Sequence, residues 1–149
     1  MDKIDKKILA LLQENARNPL KHLAAKVFLS SPAVSSRILK LEKRGIIRGY
    51  HADIDPASLG YHLQAFVNLT LESGDKEDFI NFAKHCDHII ECHCTTGHNS
   101  ILMKVLFCNT KELDDFVTEL EHYGSTDTHI IFSTIEKPYG IQSLYPELD

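Results

Sequence analysis

The sequence predicts an α+β protein, a three-helix domain followed by a βαββαβ domain. Three observations carry this expectation. Apolar residues recur with a period of about 3.6 through the first part of the chain and of about 2 from residue 62 onward. Charge reverses between the two parts: residues 1–51 hold eleven Lys/Arg against four Asp/Glu, a balance of +7, and the remainder holds five against seventeen, a balance of −12. Between them DIDPASLGY, with Pro56 and Gly60, reads as a connecting loop. The expected domains are therefore 1–52 and 62–149, with a linker at 53–61.

At 149 residues with 43% apolar composition, the chain can build a real core, which argues against wholesale disorder. The opening MDKIDKKIL has no apolar stretch or small-residue cleavage site of the kind a signal peptide needs. No apolar run approaches the roughly 18 residues of a membrane span. Four cysteines without a secretory signal point to reduced thiols. A cytoplasmic protein without membrane contact is expected. The basic first third on an acidic body suggests a nucleic-acid module joined to a domain that must not bind nucleic acid.

Each helix of the first part has its own signals. Ile4, Ile8, Leu11 and Leu12 follow Asp2, a suitable N-cap. In NPLKHLAAKV, Asn18 is expected to cap and Pro19 to open a short helix whose inner face is Leu20, Leu23, Ala24 and Val27. In SPAVSSRILKLEKRG, Ser31 is expected to cap, Pro32 to open the helix and Gly45 to close it, with Val34, Ile38 and Leu41 inward. Two tightly joined helices on a third make a helix-turn-helix. The outer face of the last helix carries Ser35, Ser36, Arg37 and Lys40, with no acidic residue before Glu42. Small residues let a helix approach base edges, Arg can read guanine and Lys neutralises phosphate. Lys21, Ser31 and Arg48 complete the expected DNA-binding set, Arg48 at the base of a two-stranded wing over IIRGYHADI.

The second part reads as four strands and two helices. In HLQAFVNLTLE, Leu63, Ala65, Val67, Leu69 and Leu71 alternate with polar positions and Phe66. Asp75 is expected to cap a helix with Phe79, Phe82, Ala83 and Cys86 inward. HIIECHCTT and SILMKVLFC then form two strands around GHN. Asn109 and Glu112 resemble a capping box for a helix bearing Leu113, Phe116, Val117 and Leu120. THIIFSTIE is the expected fourth strand, completing a ferredoxin-like βαββαβ unit with both helices on one sheet face. Phe66, Leu102, Leu106, Ile131 and Ile135 are expected on the other face, an apolar surface that calls for a partner.

The whole stretch from Ala16 to Tyr61 resembles the DNA-binding region of the Lrp/AsnC (feast/famine) transcriptional regulators. The likeness rests on Asp5, Ala16-Arg17, Leu23-Ala24, Leu29-Ser30, Val34, Arg37, Leu41-Glu42, Gly45-Ile46-Ile47, Gly49-Tyr50 and Leu59-Gly60, in order. One position departs. The family usually has Gly where this chain has Phe28, and Phe is strained where Gly admits a positive φ. The turn is therefore expected to be reshaped, with Phe28 plugging the bundle. The resemblance implies a winged helix-turn-helix joined to a ferredoxin-like effector domain, and a homodimer assembling to an octamer or higher.

The stretch HCDHIIECHCTTGHNS packs four histidines and three cysteines into sixteen positions. On a strand, Ile90, Cys92 and Cys94 would share one face, under the helices, and His93 the other. That geometry offers no four converging ligands, so neither metal nor cofactor is assigned. The resemblance instead places an amino-acid pocket at the turn between the second and third strands. The expected effector residues are Thr96, Gly97, His98, Asn99, Ser100 and Ser133, the last on the final strand. TTGH followed by Ser100 is closest to the asparagine-responsive AsnC branch, which implies a small amino acid such as asparagine as effector.

The resulting expectation is a sequence-specific regulator that binds double-stranded DNA under control of a free amino acid, not an enzyme. Two alternatives stand beside it. One is a nucleoid-like DNA-organising protein without effector control. The other is a sirohaem-decarboxylase-like enzyme, against which the basic, small-residue helix face argues.

Overall fold

The computed structural model describes residues 1–72, 76–97 and 100–135. They form two compact units, one built on Met1–Asp53 and the other on Ile54–Thr134. The first holds α1 (Lys3–Glu14), α2 (Leu20–Val27) and α3 (Ser31–Lys43). Asp2 and Asp5 begin α1 with a reciprocal capping box, each carboxylate accepting the other's backbone N–H at 2.8 and 3.1 Å. Ile8, Leu23, Ala24, Val27 and Val34 bury the centre of the bundle, supported by Ile4, Leu11, Leu12, Leu29 and Ile38. The apolar stripes read from spacing are the ones that pack, except that Leu20, expected on the inner face of α2, is 42% exposed at its first turn.

Three local expectations are corrected. Asn18 does not cap α2; its side-chain amide donates to the Leu11 carbonyl at 3.0 Å and so finishes α1. Ser30, not Ser31, caps α3 by accepting from the Ala33 N–H. No paired strands form between Ile46 and Ile54, so the wing is a single extended path after α3. Tyr50 anchors that path, its hydroxyl donating to Glu42 at 2.9 Å. Partial burial, then Glu42, raises the Tyr50 pKa.

Phe28 gives the largest surprise. It ends α2 at φ 56° and ψ 42°, the left-handed conformation a glycine would take. The turn is therefore not reshaped, and the chain bears a backbone strain of roughly 1–2 kcal/mol. Nor does the ring plug the bundle: it is 91% exposed, and Leu29 packs instead.

In the second unit Asp55 caps a short turn, Pro56–Leu59, through the N–H groups of Ala57 and Ser58 and the Ser58 hydroxyl. The Ser58 hydroxyl, then the Ala57 N–H, holds the Asp55 carboxyl below its usual range. The unit continues as β1 (Leu63–Leu71), α4 (Lys76–His85), β2 (Ile89–Cys94), β3 (Ile101–Phe107), α5 (Thr110–Leu120) and β4 (Gly124–Ile130). The sheet is antiparallel throughout, in the order β2-β3-β1-β4. Ala65, Val67 and Leu69 of β1 and Ile101, Met103, Val105 and Phe107 of β3 bury one face against Phe79, Leu113, Phe116 and Leu120. Phe79, Phe82, Phe107, Phe116 and Tyr123 join that core through ring contacts of 5.3–6.3 Å. The α+β class and the βαββαβ order are as the sequence predicts.

β4 starts four residues earlier than the apolar run THIIF suggests, because its pairing with β1 runs from Gly124 opposite Leu71 to Ile130 opposite Ala65. Ser133 and Ile135 therefore lie beyond the strand, both exposed. Phe66, Leu102 and Leu106 do stand on the face away from the helices, by their pairing with Lys104, Asn68 and Gln64. The expected cap Asp75 lies outside the described residues.

Candidate functional site

The helix-turn-helix presents α3 across the bundle, and its outer face is the first candidate site. Ser35, Ser36 and Lys40 are exposed there, as is Lys21 on α2 and Arg48 in the segment that Tyr50 anchors. Ser31 is half-buried in the first turn of α3. Arg37 is different from its neighbours. Its Nη1 lies 2.7 Å from Asp2 Oδ2 and 2.7 Å from Asp5 Oδ1, so its guanidinium is engaged inside the unit. Those hydrogen bonds, Asp5 first and then Asp2, raise its pKa further. Arg37 thus ties α3 to α1 through one of its guanidinium nitrogens, with 30% of its side chain still exposed.

An open concavity of about 540 Å³ runs beside α3, lined by Ser36, Arg37, Lys40, Lys43 and Arg44, with Asp5 at its inner wall. Lys43 and Arg44 were not singled out by sequence. Their signal was available, since Lys43 and Arg44 lie three and four residues after Lys40, itself four after Ser36.

The β2–β3 connection is the second candidate. Thr95 N–H donates to the Ser100 carbonyl at 2.9 Å, closing the hairpin. Thr96 and Gly97 are exposed beyond that bond, Gly97 at φ 111°. His98 and Asn99 lie outside the described residues. Ser100 is committed to the fold: its Oγ accepts the Leu71 N–H at 2.9 Å, and its own N–H donates to Leu69 at 3.1 Å. It fixes where the turn leaves the sheet. Ser133 is exposed and not on a strand.

The cysteine–histidine stretch resolves into separate roles. A bulge at Ile90 makes Ile89, not Ile90, the residue that packs on the core. Cys92 and Cys94 pair with Met103 and Ile101 and so share the helix-side face, yet both are exposed because β2 is an edge strand. They are not beneath the helices as expected. Partial burial, then Cys94, raises the Cys92 pKa, which disfavours a reactive thiolate. His93 faces the other way, 3.4 Å from Glu91. His85 is bonded to the Asn81 carbonyl, and His88 to the Leu106 carbonyl while stacking on Phe107 at 4.5 Å. Among the described residues no three His, Cys, Asp or Glu side chains converge as metal ligands. No helix among them is long and apolar enough to cross a membrane.

Comparison with known proteins joins the two candidates. Residues 1–48 match a winged helix-turn-helix DNA-binding model, and residues 64–141 match the Lrp/AsnC ligand binding domain. The chain is 30% identical to the transcriptional regulator LrpC of Bacillus subtilis over 94% of its own length and 97% of the relative's. It is 32% identical to LrpA of the same organism, covering 88% and 97%. The structure of LrpC superposes with a TM-score of 0.87 at 30% identity, covering 92% of this chain and 98% of that one. A Neisseria meningitidis transcriptional regulator in complex with L-Met superposes with a TM-score of 0.88 at 30% identity, covering 94% and 95%.

Proposed function

The chain belongs to the Lrp/AsnC family of DNA-binding transcriptional regulators with an amino-acid-binding domain, and from that premise we propose how it works. It acts in the cytoplasm as a homodimer or a higher assembly such as an octamer. Two α3 helices enter successive major grooves, about one helical turn apart on a pseudo-palindromic site. Ser35 and Ser36 approach base edges. Lys21, Lys40, Lys43, Arg44 and Arg48 neutralise phosphates, and Ser31 adds a contact from the first turn. Arg37 is a positioning residue, because its guanidinium is held by Asp2 and Asp5.

The observation that carries this reading is the exposed outer face of a helix that has no acidic residue from Ser31 to Leu41 and is packed on two others. A positive surface of that kind meets phosphate, and its small side chains leave room for base contact. Dimerisation is supported by the uncovered sheet face, where Phe66 keeps 39% of its surface in solvent beside Leu102 and Leu106.

The effector is a small amino acid bound at the Thr96-Gly97 turn, with His98 and Asn99 as further contacts. Asparagine and methionine are the first candidates, the second because the Neisseria relative is complexed with L-Met. Ser100 supports the turn through its bond to Leu71. Effector binding changes assembly, assembly changes DNA occupancy, and by linkage DNA and effector alter each other's affinity equally.

The test is a thermal-melt panel of the twenty amino acids at millimolar concentration, followed by titration onto DNA. A ligand at a hundred times its dissociation constant adds roughly 2.7 kcal/mol, a visible shift. A shift with one or a few amino acids, accompanied by changed affinity for a selected duplex, is expected. No shift with any amino acid would remove effector control and leave a DNA-organising protein.

A further inference from the structure

Phe28 combines two costs that the fold does not repay. It occupies the left-handed region at φ 56°, where a side chain is strained, and it leaves its ring 91% exposed. The apolar cluster of the unit is complete without it, and its neighbour Leu29 takes the inward position. Phe28 is the non-glycine residue with positive φ among the described residues, and it stands at the turn between α2 and α3. Only Leu29 separates it from Ser30, the N-cap of α3.

That placement says what meets the ring. In a helix-turn-helix the second helix brings its N-terminal residues to the base edges while the first crosses the backbone. The residue between them stands where the groove meets the sugar–phosphate wall. The sequence on either side of the turn is basic: from Asn15 to Leu41 the chain carries Arg17, Lys21, Lys26 and Lys40 and no Asp or Glu, the further Arg37 being paired with Asp2 and Asp5. An aromatic ring set in that positive field is complementary to an apolar patch of duplex, such as a deoxyribose edge or a thymine methyl.

We propose that Phe28 is a DNA-contacting residue whose exposed ring packs on a thymine methyl at the edge of the half-site, the turn's strain being compensated on binding. The inference rests on α3 being the helix that enters the groove. It adds a sequence-preferring apolar contact to a face otherwise made of serines and cations.

The experiment uses a duplex selected by the wild-type protein from a randomised pool, with a scrambled duplex of equal composition as control. Phe28→Gly and Phe28→Asn suit the left-handed conformation, so both variants are expected to melt at or above the wild-type temperature. Both are expected to lose roughly tenfold in affinity for the selected duplex, with little change on the scrambled one. Phe28→Tyr keeps the ring and is expected to bind as wild type does. Wild-type affinity in Phe28→Gly would overturn the proposal. So would a loss accompanied by a lower light-scattering mass, which would show the ring holding copies of the chain together. A wild-type protein with no preference for any duplex would instead overturn the reading of α3, and this contact with it.

Discussion

Arg37 of α3 is held by two carboxylates of α1, Asp2 and Asp5, each 2.7 Å from the same guanidinium nitrogen. The two acids are themselves fixed by their capping box, so the first turn of α1 sets the position of the helix proposed to enter DNA. A charge-assisted pair of this kind constrains direction as well as distance.

Coupling is the first testable consequence. Arg37→Met and Asp5→Asn are each expected to lower the melting temperature, and the double variant to lose no more than the worse single one. Removing a negative charge alone would raise affinity for any duplex. Asp5→Asn is therefore expected to lower the ratio of selected to scrambled affinity even though absolute binding can rise. Strictly additive melting losses would show that Arg37 and Asp5 do not act as one.

Acid dependence follows from the same cluster. The Asp5 N–H, and then Arg37, hold the Asp2 carboxyl below its ordinary value of 3.8. The folded state thus favours the ionised form more than the unfolded chain does. The stabilisation is complete above the ordinary value and is lost as pH falls through the depressed one. Asp2→Asn keeps a capping side chain but no charge. The wild type is expected to melt above this variant near neutrality, and the gap to close below about pH 4. An unchanged gap at pH 3 would mean that the folded state does not hold the Asp2 carboxyl below its ordinary value.

Two glycines separate strain from collision. Among the described residues a Cβ on Gly97, at φ 111°, would meet nothing within 4 Å, so Gly97→Ala is expected to cost the dihedral penalty alone, roughly 1–3 kcal/mol. On Gly124, at φ 150°, a Cβ would overlap the Thr70 carbonyl oxygen in the adjoining strand. Gly124→Ala is expected to cost upwards of about 3 kcal/mol, the backbone having to part. Urea unfolding reads both. The milder Gly97→Ala variant should also weaken the amino-acid response at the turn.

How much of this was legible in the sequence depends on the range of the interaction. The alternation of Ala65, Val67 and Leu69 and the helical spacing of Leu113, Phe116 and Leu120 name the core correctly, because burial imposes those periods directly. Phe28 was visible as a misplaced residue, but its conformation and exposure were not. A turn can accept strain where the ring is needed outside. The tie at Arg37 joins residues 32 and 35 positions apart, and no local pattern announces it. The β2 bulge and the start of β4 failed for a similar reason. Register is set by the neighbouring strand, and in an apolar run such as THIIF the pairing can end before the run does, here at Ile130.

The two apolar clusters share no residue, so damage to one should spare the function of the other. Leu23 is 1% exposed at the centre of the three-helix bundle, and Phe79 is fully buried on the sheet. Leu23→Ala is expected to cost about 2–5 kcal/mol and Phe79→Ala about 3–5 kcal/mol, each within its own unit. Leu23→Ala should lose affinity for the selected duplex while retaining the thermal shift with the effector amino acid. Phe79→Ala should lose the shift first, and then whatever part of DNA binding depends on assembly. The light-scattering mass distinguishes these parts: a Leu23→Ala variant that keeps the wild-type mass but not the duplex places DNA recognition in the bundle alone. If that variant also lost the amino-acid response, the two halves would be energetically one, and effector control would have to pass through the bundle core.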